Sequence, residues 1–464
     1  MTRQLSKREL VARRLDTHKQ SYLSMHRSLQ WFLLHRLRMD EQKRNVSFNR
    51  AFVLIRNAIP RKSPLELFSY QASTAFNKYL PQVLSLFDSA QKPEPPLGET
   101  IEFVTLLSEA GTYMWENGYL KDCRRVMERA EQILHQIDSS SLDWECADIH
   151  STLGILCTST GVSRRAEGLQ RCREASEVRK RIQNSYEEVP LAVEVETVCA
   201  WADLARAYLE NEQFDAAEEL MGKCKSYYQK WGTEEQEPWH WSRWYQHMAY
   251  VKTYRGEHVE AVTWAHRATE LQEKATGNGS SLTQIYRFAL AHLIYHAGDY
   301  PQALKLFKTV YDSCVQLLGH YNHLTQTSHF AYGMLQWING NPNEAEYALL
   351  SLLAYIVLIR VNSRHNIKAC LQEDKQSLWS EEQEARAQYY LAKLLRSRGD
   401  LVEANRLEQI AEETRERLIM EYPEFLGAEK GSNSDSIYDL MVPIGRLRFS
   451  GKLHGGRALD WNKI

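Results

Sequence analysis

Seven times between residues 111 and 404 the sequence repeats one frame: a small residue, seven positions later a residue that is glycine in six of the seven, and five positions after that one that is alanine in six of the seven. The frames are Gly111, Gly118, Cys123; Gly154, Gly161, Ala166; Ala205, Glu212, Ala217; Ala249, Gly256, Ala261; Ala291, Gly298, Ala303; Gly333, Gly340, Ala345; and Ala392, Gly399, Ala404. Apolar residues flank each frame at helical intervals, as Trp201, Leu204 and Tyr208 do before Glu212 and Phe307 and Val310 do after Ala303. That pattern describes an amphipathic helix, a break, and a second amphipathic helix. Glycine at the break can take the left-handed backbone conformation that ends a helix. The two small residues let the helix backbones approach where they cross, so a bulkier side chain there should cost roughly 1–3 kcal/mol by overpacking. A helical hairpin repeated in tandem cannot bury its apolar face alone and must stack on its neighbours.

Within the third frame, Trp201, Leu204, Ala205, Tyr208, Phe214, Ala217 and Met221 read WxxLAxxYxxxxxFxxAxxxM, which resembles the tetratricopeptide repeat signature. Longer spacing between frames is similar to repeats of the kinesin-light-chain type. Leu318, Gly319 and Thr325 echo the LGxxHPxT phrase of that subtype, with Asn322 and His323 in place of His-Pro. The resemblance implies an all-α fold, a right-handed superhelical solenoid of about seven hairpins over residues 98–426, with insertions near 181–190 and 360–378. Upstream, MHRSLQ, the stretch Phe48 to Pro60 and YLPQVLSL resemble the join between winged-helix region and repeats in fungal NB-ARC or NACHT-type STAND receptors. The tail YDLMVPIGRLRFSGKL, from Tyr438, resembles the segment closing such chains. This implies a sensor region without its NTPase: a basic helical, winged-helix-like remnant at 1–45, an irregular helical lead-in at 46–97, the repeats, and a mostly irregular tail at 427–464.

Bulk charge points to no partner. Fifty-seven basic residues nearly balance 59 acidic ones, a net charge of -2, which suits neither a nucleic-acid wrapper nor an acidic solvating chain. Residues 1–50 are locally basic, with 12 Lys or Arg against 4 Asp or Glu. A regulator touching nucleic acid through this end is therefore an alternative, although no recognition helix is evident and basic residues alternate with apolar ones. The longest apolar run, Ala348 to Ile359, is 12 residues, short of the ~20 that span a bilayer, so no membrane insertion is expected. Eight scattered cysteines without a CxxC pair suit thiols in a reducing cytoplasm.

Candidate chemistry is sparse. Gly445 to Leu453, GRLRFSGKL, has one residue too many for a phosphate-binding GxxxxGK[ST] loop and Leu453 in place of its hydroxyl residue. His320, His323 and His329 lack a thiolate or carboxylate at the spacing that would complete a tetrahedral metal site. Acid pairs such as Glu381 and Glu382, or Glu218 and Glu219, fit a charged outer helix face. No enzyme, cofactor or metal site is expected, an enzyme with an unrecognised site being the remaining alternative. The aromatic run Trp231 to Tyr245 reads as core and loop packing.

The concave face of such a solenoid is the candidate binding surface, formed by the first helix of each hairpin. Residues one, four and five positions after the small frame residue should line it: Arg206 and Leu209; Tyr250, Thr253 and Tyr254; His292, Tyr295 and His296; Met334 and Trp337, with Ile338 beside them. Rigid aromatics there offer contact area at small entropic cost, which suits an extended peptide or a helix. The expected function is non-catalytic protein binding, as a sensor, adaptor or scaffold. Coverage of the same aromatics by neighbouring repeats or by a self-docked carboxy-terminal tail is the competing arrangement.

Overall fold

The computed structural model describes residues 11–15, 21–61, 70–91, 97, 100–137, 143–320, 322–365, 380–427 and 434–443. The insertion expected at 360–378 and the GRLRFSGKL segment fall wholly or largely outside them. The chain divides into two compact units, residues 1–61 with 68–107, and residues 62–67 with 108–464.

In the first unit the residues expected to be helical begin instead as a β-hairpin, Val11–Leu15 (β1) antiparallel to Ser21–Met25 (β2), with Val11 opposite Met25. Five-residue strands such as VARRL and SYLSM are too short for a helical or a strand period to register in the sequence. Helices α1 (Arg27–Arg38), α2 (Glu41–Ala58) and α3 (Tyr70–Gln91) follow. Asp40 caps α2, accepting the Lys43 amide at 3.0 Å. Phe48 and Phe52 of α2 meet Phe103 edge-on.

The hairpins belong to the second unit, except that the helix opening the first hairpin begins in the first unit and crosses into the second after Leu107. They pair α4 (Ile101–Glu116) with α5 (Leu120–Gln136), α6 (Asp143–Thr158) with α7 (Val162–Asn184), and α8 (Leu191–Glu210) with α9 (Phe214–Trp231). Next come α10 (Pro238–Tyr254) with α11 (His258–Thr276), α12 (Ser281–His296) with α13 (Tyr300–Leu318), α14 (His323–Ile338) with α15 (Pro342–His365), and α16 (Glu381–Ser397) with α17 (Leu401–Glu421). Six frames occupy one register: the small residue five positions before the first helix ends, the turn residue at positive φ, and the alanine or cysteine on the fourth residue of the second helix. Those alanines, from Ala217 to Ala404, are fully buried. The third frame puts Glu212 at φ 58°, the one non-glycine with positive φ among the described residues.

The second frame is displaced. Gly161 has φ 167°, ordinary extended backbone, and Ala166 is exposed. The fourth residue of α7, where other hairpins carry the alanine, is Arg165, fully buried. Close approach of α6 and α7 comes instead from Gly154 and Gly168: a Cβ on Gly168 would lie 2.8 Å from the Gly154 carbonyl oxygen. The match of Gly154, Gly161 and Ala166 to the other frames is a coincidence of spacing, one residue out of step.

After the hairpins, α18 (Pro423–Leu426) and α19 (Ser434–Met441) end the described chain. The tail expected to be mostly irregular thus contains a helix.

Candidate functional site

The array closes on itself through its turns. In the α4–α5 turn, the Asn117 carbonyl accepts from Asn322 Nδ2 at 2.8 Å, and Asn117 Oδ1 accepts from Ser281 Oγ at 3.2 Å. Asn322 and Ser281 stand at the starts of α14 and α12, more than 160 residues away. In the α6–α7 turn, Thr160 O accepts from Ser380 Oγ at 3.0 Å, and the Ser163 amide donates to Glu382 Oε1 at 2.9 Å. First-turn amides of a helix have no intrahelical acceptor and carry the positive end of its dipole. Glu382, expected on a charged outer face, is instead fully buried on α16 and acts as a cap for α7 supplied from five hairpins away. Gly161 supplies room rather than a special φ, because a Cβ there would meet that carboxylate at 2.7 Å.

Closure changes what the predicted groove residues do. Leu209, Tyr250, Thr253, His292, Tyr295, His296, Met334 and Trp337 are buried; Arg206 and Tyr254 keep partial exposure, and so does Ile338. They are interior packing, not an open aromatic wall. Arg206 pairs with the buried Glu210 and sits over the Tyr250 ring. Tyr254 stacks on Phe214 at 3.7 Å. His292 and His296 bring their Nε2 atoms to 2.7 Å. The run Trp231 to Tyr245 packs as expected, with Trp241 and Trp244 buried and Trp241 Nε1 donating to the Gly232 carbonyl. No group of three or more potential metal ligands occurs among the described residues, and no described helix is long and apolar enough to cross a membrane.

The interior is occupied by the chain's own α19. Along α16, Arg386, Tyr389, Tyr390 and Lys393 fall at helical positions i, i+3, i+4 and i+7, one stripe. Asp435 Oδ1 accepts from Lys393 Nζ and from the Tyr389 hydroxyl, each at 2.8 Å. Four residues on, Asp439 Oδ1 lies 3.4 Å from Arg386 Nη1 and 3.3 Å from the Tyr390 hydroxyl. Between them Tyr438 stacks on Tyr389, centroids 4.1 Å apart, and its hydroxyl donates to Glu412 of α17. Arg386 also lies over the Phe330 ring of α14. At the far end Arg165, crossing from α7, donates to the carbonyl oxygens of Leu440 at 2.5 Å and Val442 at 2.7 Å, a cation at the negative end of a helix.

Titration behaviour follows burial. Desolvation, then the Asp435 carboxylate, pushes the Tyr389 phenol up; desolvation and then Asp439 do the same to Tyr390. Tyr295 is raised by burial, then by Tyr300 and Asp439. These phenols are hydrogen-bond donors, not bases. Buried thiols such as Cys123 and Cys172 are raised by desolvation, which leaves them unreactive.

Sequence reasoning missed Arg165 because the misaligned second frame put Ala166 in its place. It missed the α16 stripe because charged helix positions were read as solvated. The signal available was two acids four apart in SDSIYDLM, facing a basic and tyrosine stripe of the same period.

Comparison with known proteins bears on the hairpins. Residues 281–355, spanning α12 to α15, match the family model described as tetratricopeptide repeat. Among solved structures the chain is similar to BtubC from P. vanneervenii, with 14% identity and a TM-score of 0.41, covering 55% of this chain and 92% of that one. A putative kinesin light chain with nearly identical TPR-like repeats, from Podosopora anserina, gives 18%, 0.34, 46% and 94%. A STAND protein with a tetratricopeptide repeat sensor, from Pyrococcus horikoshii, gives 14%, 0.42, 76% and 54%. A search of curated proteins finds no match. Six hairpins thus share one register, and the match to the tetratricopeptide repeat model falls on the fifth and sixth of the seven.

Proposed function

We propose that this chain is a non-catalytic protein-binding module that holds a peptide or a short helix against the first helices of its later hairpins. The observation that carries the reading is α19 itself. It is a segment eight residues long, too short to be a stable helix alone, and it is seated by side chains of α16, α17 and α7 that contact both its acids and its terminal carbonyls. A surface that orders one such segment through charged and aromatic contacts has the properties of a peptide receptor. The groups of α16 and α7 that hold α19 are cations and phenols, which pair with its carboxylates and carbonyls as a binding surface does.

Display of random ten-residue peptides on the immobilised full chain tests this. Enriched peptides should lose binding in a Lys393→Glu variant of unchanged helical content. No enrichment, or binding indifferent to Lys393, refutes the reading.

A further inference from the structure

The pairing of α19 with α16 does more than fasten a terminus. A segment needed only for stability would be held best by apolar packing. Buried ion pairs seldom out-stabilise apolar replacements of similar size, and their best-attested use is to specify which segment binds and in which register. Here Asp439 and Arg386 are paired with 0% and 2% of their side chains exposed, and Asp435 and Lys393 pair one turn away. Tyr438 lies between the acids and meets the ring on α16 that also binds Asp435. The α16 stripe of Arg386, Tyr389, Tyr390 and Lys393 is thus complementary, residue by residue, to an acid at i, a tyrosine at i+3 and an acid at i+4.

Resting on the peptide-binding reading above, we propose that Ser434–Pro443 is a resident pseudo-ligand, and that the site takes partner segments of the same chemistry. Such a partner is a short helix with two carboxylates four residues apart, a tyrosine directly before the second, and apolar residues following. Arg165 terminates that helix by taking its last carbonyls, so the site reads about two turns and has a defined end. Because the tail is tethered, its effective concentration at the site is high, of order millimolar for a short linker. Partner segments therefore bind in proportion to how often the tail leaves, and anything that engages the tail elsewhere raises their apparent affinity.

The test uses the full chain with a protease recognition sequence inserted within residues 428–433, cut after folding. A fluorescently labelled peptide, SDSIYDLMVP, is added and its anisotropy followed. The expected result is exchange of the peptide into the cut protein, with apparent affinity at least roughly 100-fold weaker in the uncut one. Peptides carrying Asp435→Asn and Asp439→Asn should compete at least tenfold less well. Hydrogen exchange of α17 in the cut, tail-free protein shows whether the array persists. Failure of the labelled peptide to exchange within a day overturns the proposal, as do indifference to both Asn substitutions and collapse of the array on tail release. If display-selected peptides bind while this peptide does not compete with the tail, the pseudo-ligand fails alone. If no peptide binds even the cut chain, the binding reading fails with it.

Discussion

Replacing Gly168 by alanine puts a methyl group into the crossing of α6 and α7, where the facing atoms are backbone. The added carbon would lie 2.8 Å from both the Gly154 oxygen and the Thr158 nitrogen, about 0.6 Å inside the 3.4 Å at which ordinary contact begins. Both atoms are backbone and cannot rotate away, so α6 and α7 must part along their length. Overpacking of this kind costs roughly 1–3 kcal/mol, against which alanine in place of glycine in a helix returns about 0.5–1 kcal/mol. The control is Gly222→Ala, at an exposed position in the middle of α9 with nothing within 4 Å; only the propensity gain of about 0.5–1 kcal/mol applies there. The two substitutions are chemically identical and should have opposite signs. Urea unfolding followed by far-ultraviolet circular dichroism should give a lower midpoint than the parent for Gly168→Ala and a higher one for Gly222→Ala. A Gly168→Ala protein as stable as Gly222→Ala would refute the claim that close backbone contact holds this hairpin.

Further consequences follow from single residues. Glu212 holds φ 58° where five other turns use glycine, so Glu212→Gly should raise stability by about 1 kcal/mol, the usual cost of a left-handed non-glycine residue, seen as a higher urea midpoint; no gain contradicts the strain. His329, stacked on Tyr311 at 4.5 Å and beside Ser351, has its pKa lowered to about 4, by burial and then by His320. The unfolded imidazole protonates near pH 6.5 while the folded one stays neutral, so stability should fall as pH drops from about 6.5 to 4, by at most about 1.4 kcal/mol per pH unit. His329→Gln should flatten that slope in urea titrations at pH 7 and 5, and an unchanged slope rules His329 out as its source.

What was legible locally and what was not divides along sequence separation. The hairpins were readable because Ala217, Ala261, Ala303 and their equivalents recur at fixed offsets that steric contact requires. The second frame misled because glycine and alanine at the same offsets are common enough to coincide, and only the burial of Arg165 beside exposed Ala166 shows the true register. Side-chain direction along the first helices follows from helical geometry, but exposure does not. Tyr250, Tyr295 and Trp337 are buried in the cluster formed by neighbouring hairpins, and the contacts of Asn117 with Asn322 and of Ser163 with Glu382 join residues about 200 apart and leave no periodic trace. The α19 helix was hidden for a related reason, since Ser434, Asp435 and Ser436 carry poor helix propensity and the segment is helical where α16 partners it.

The closure of the array is tested most directly at one amide. Ser163 lies in the first turn of α7, where amides exchange freely unless an outside acceptor holds them. In residue-resolved hydrogen–deuterium exchange of the full chain, Ser163 should be protected well beyond Val259, the first-turn residue of α11, whose cap position Glu257 gives no side-chain hydrogen bond. Glu382→Ala should abolish that difference. A Ser163 amide that exchanges as fast as Val259 in the unaltered protein would mean that the second and seventh hairpins do not meet, and that the interior lies open.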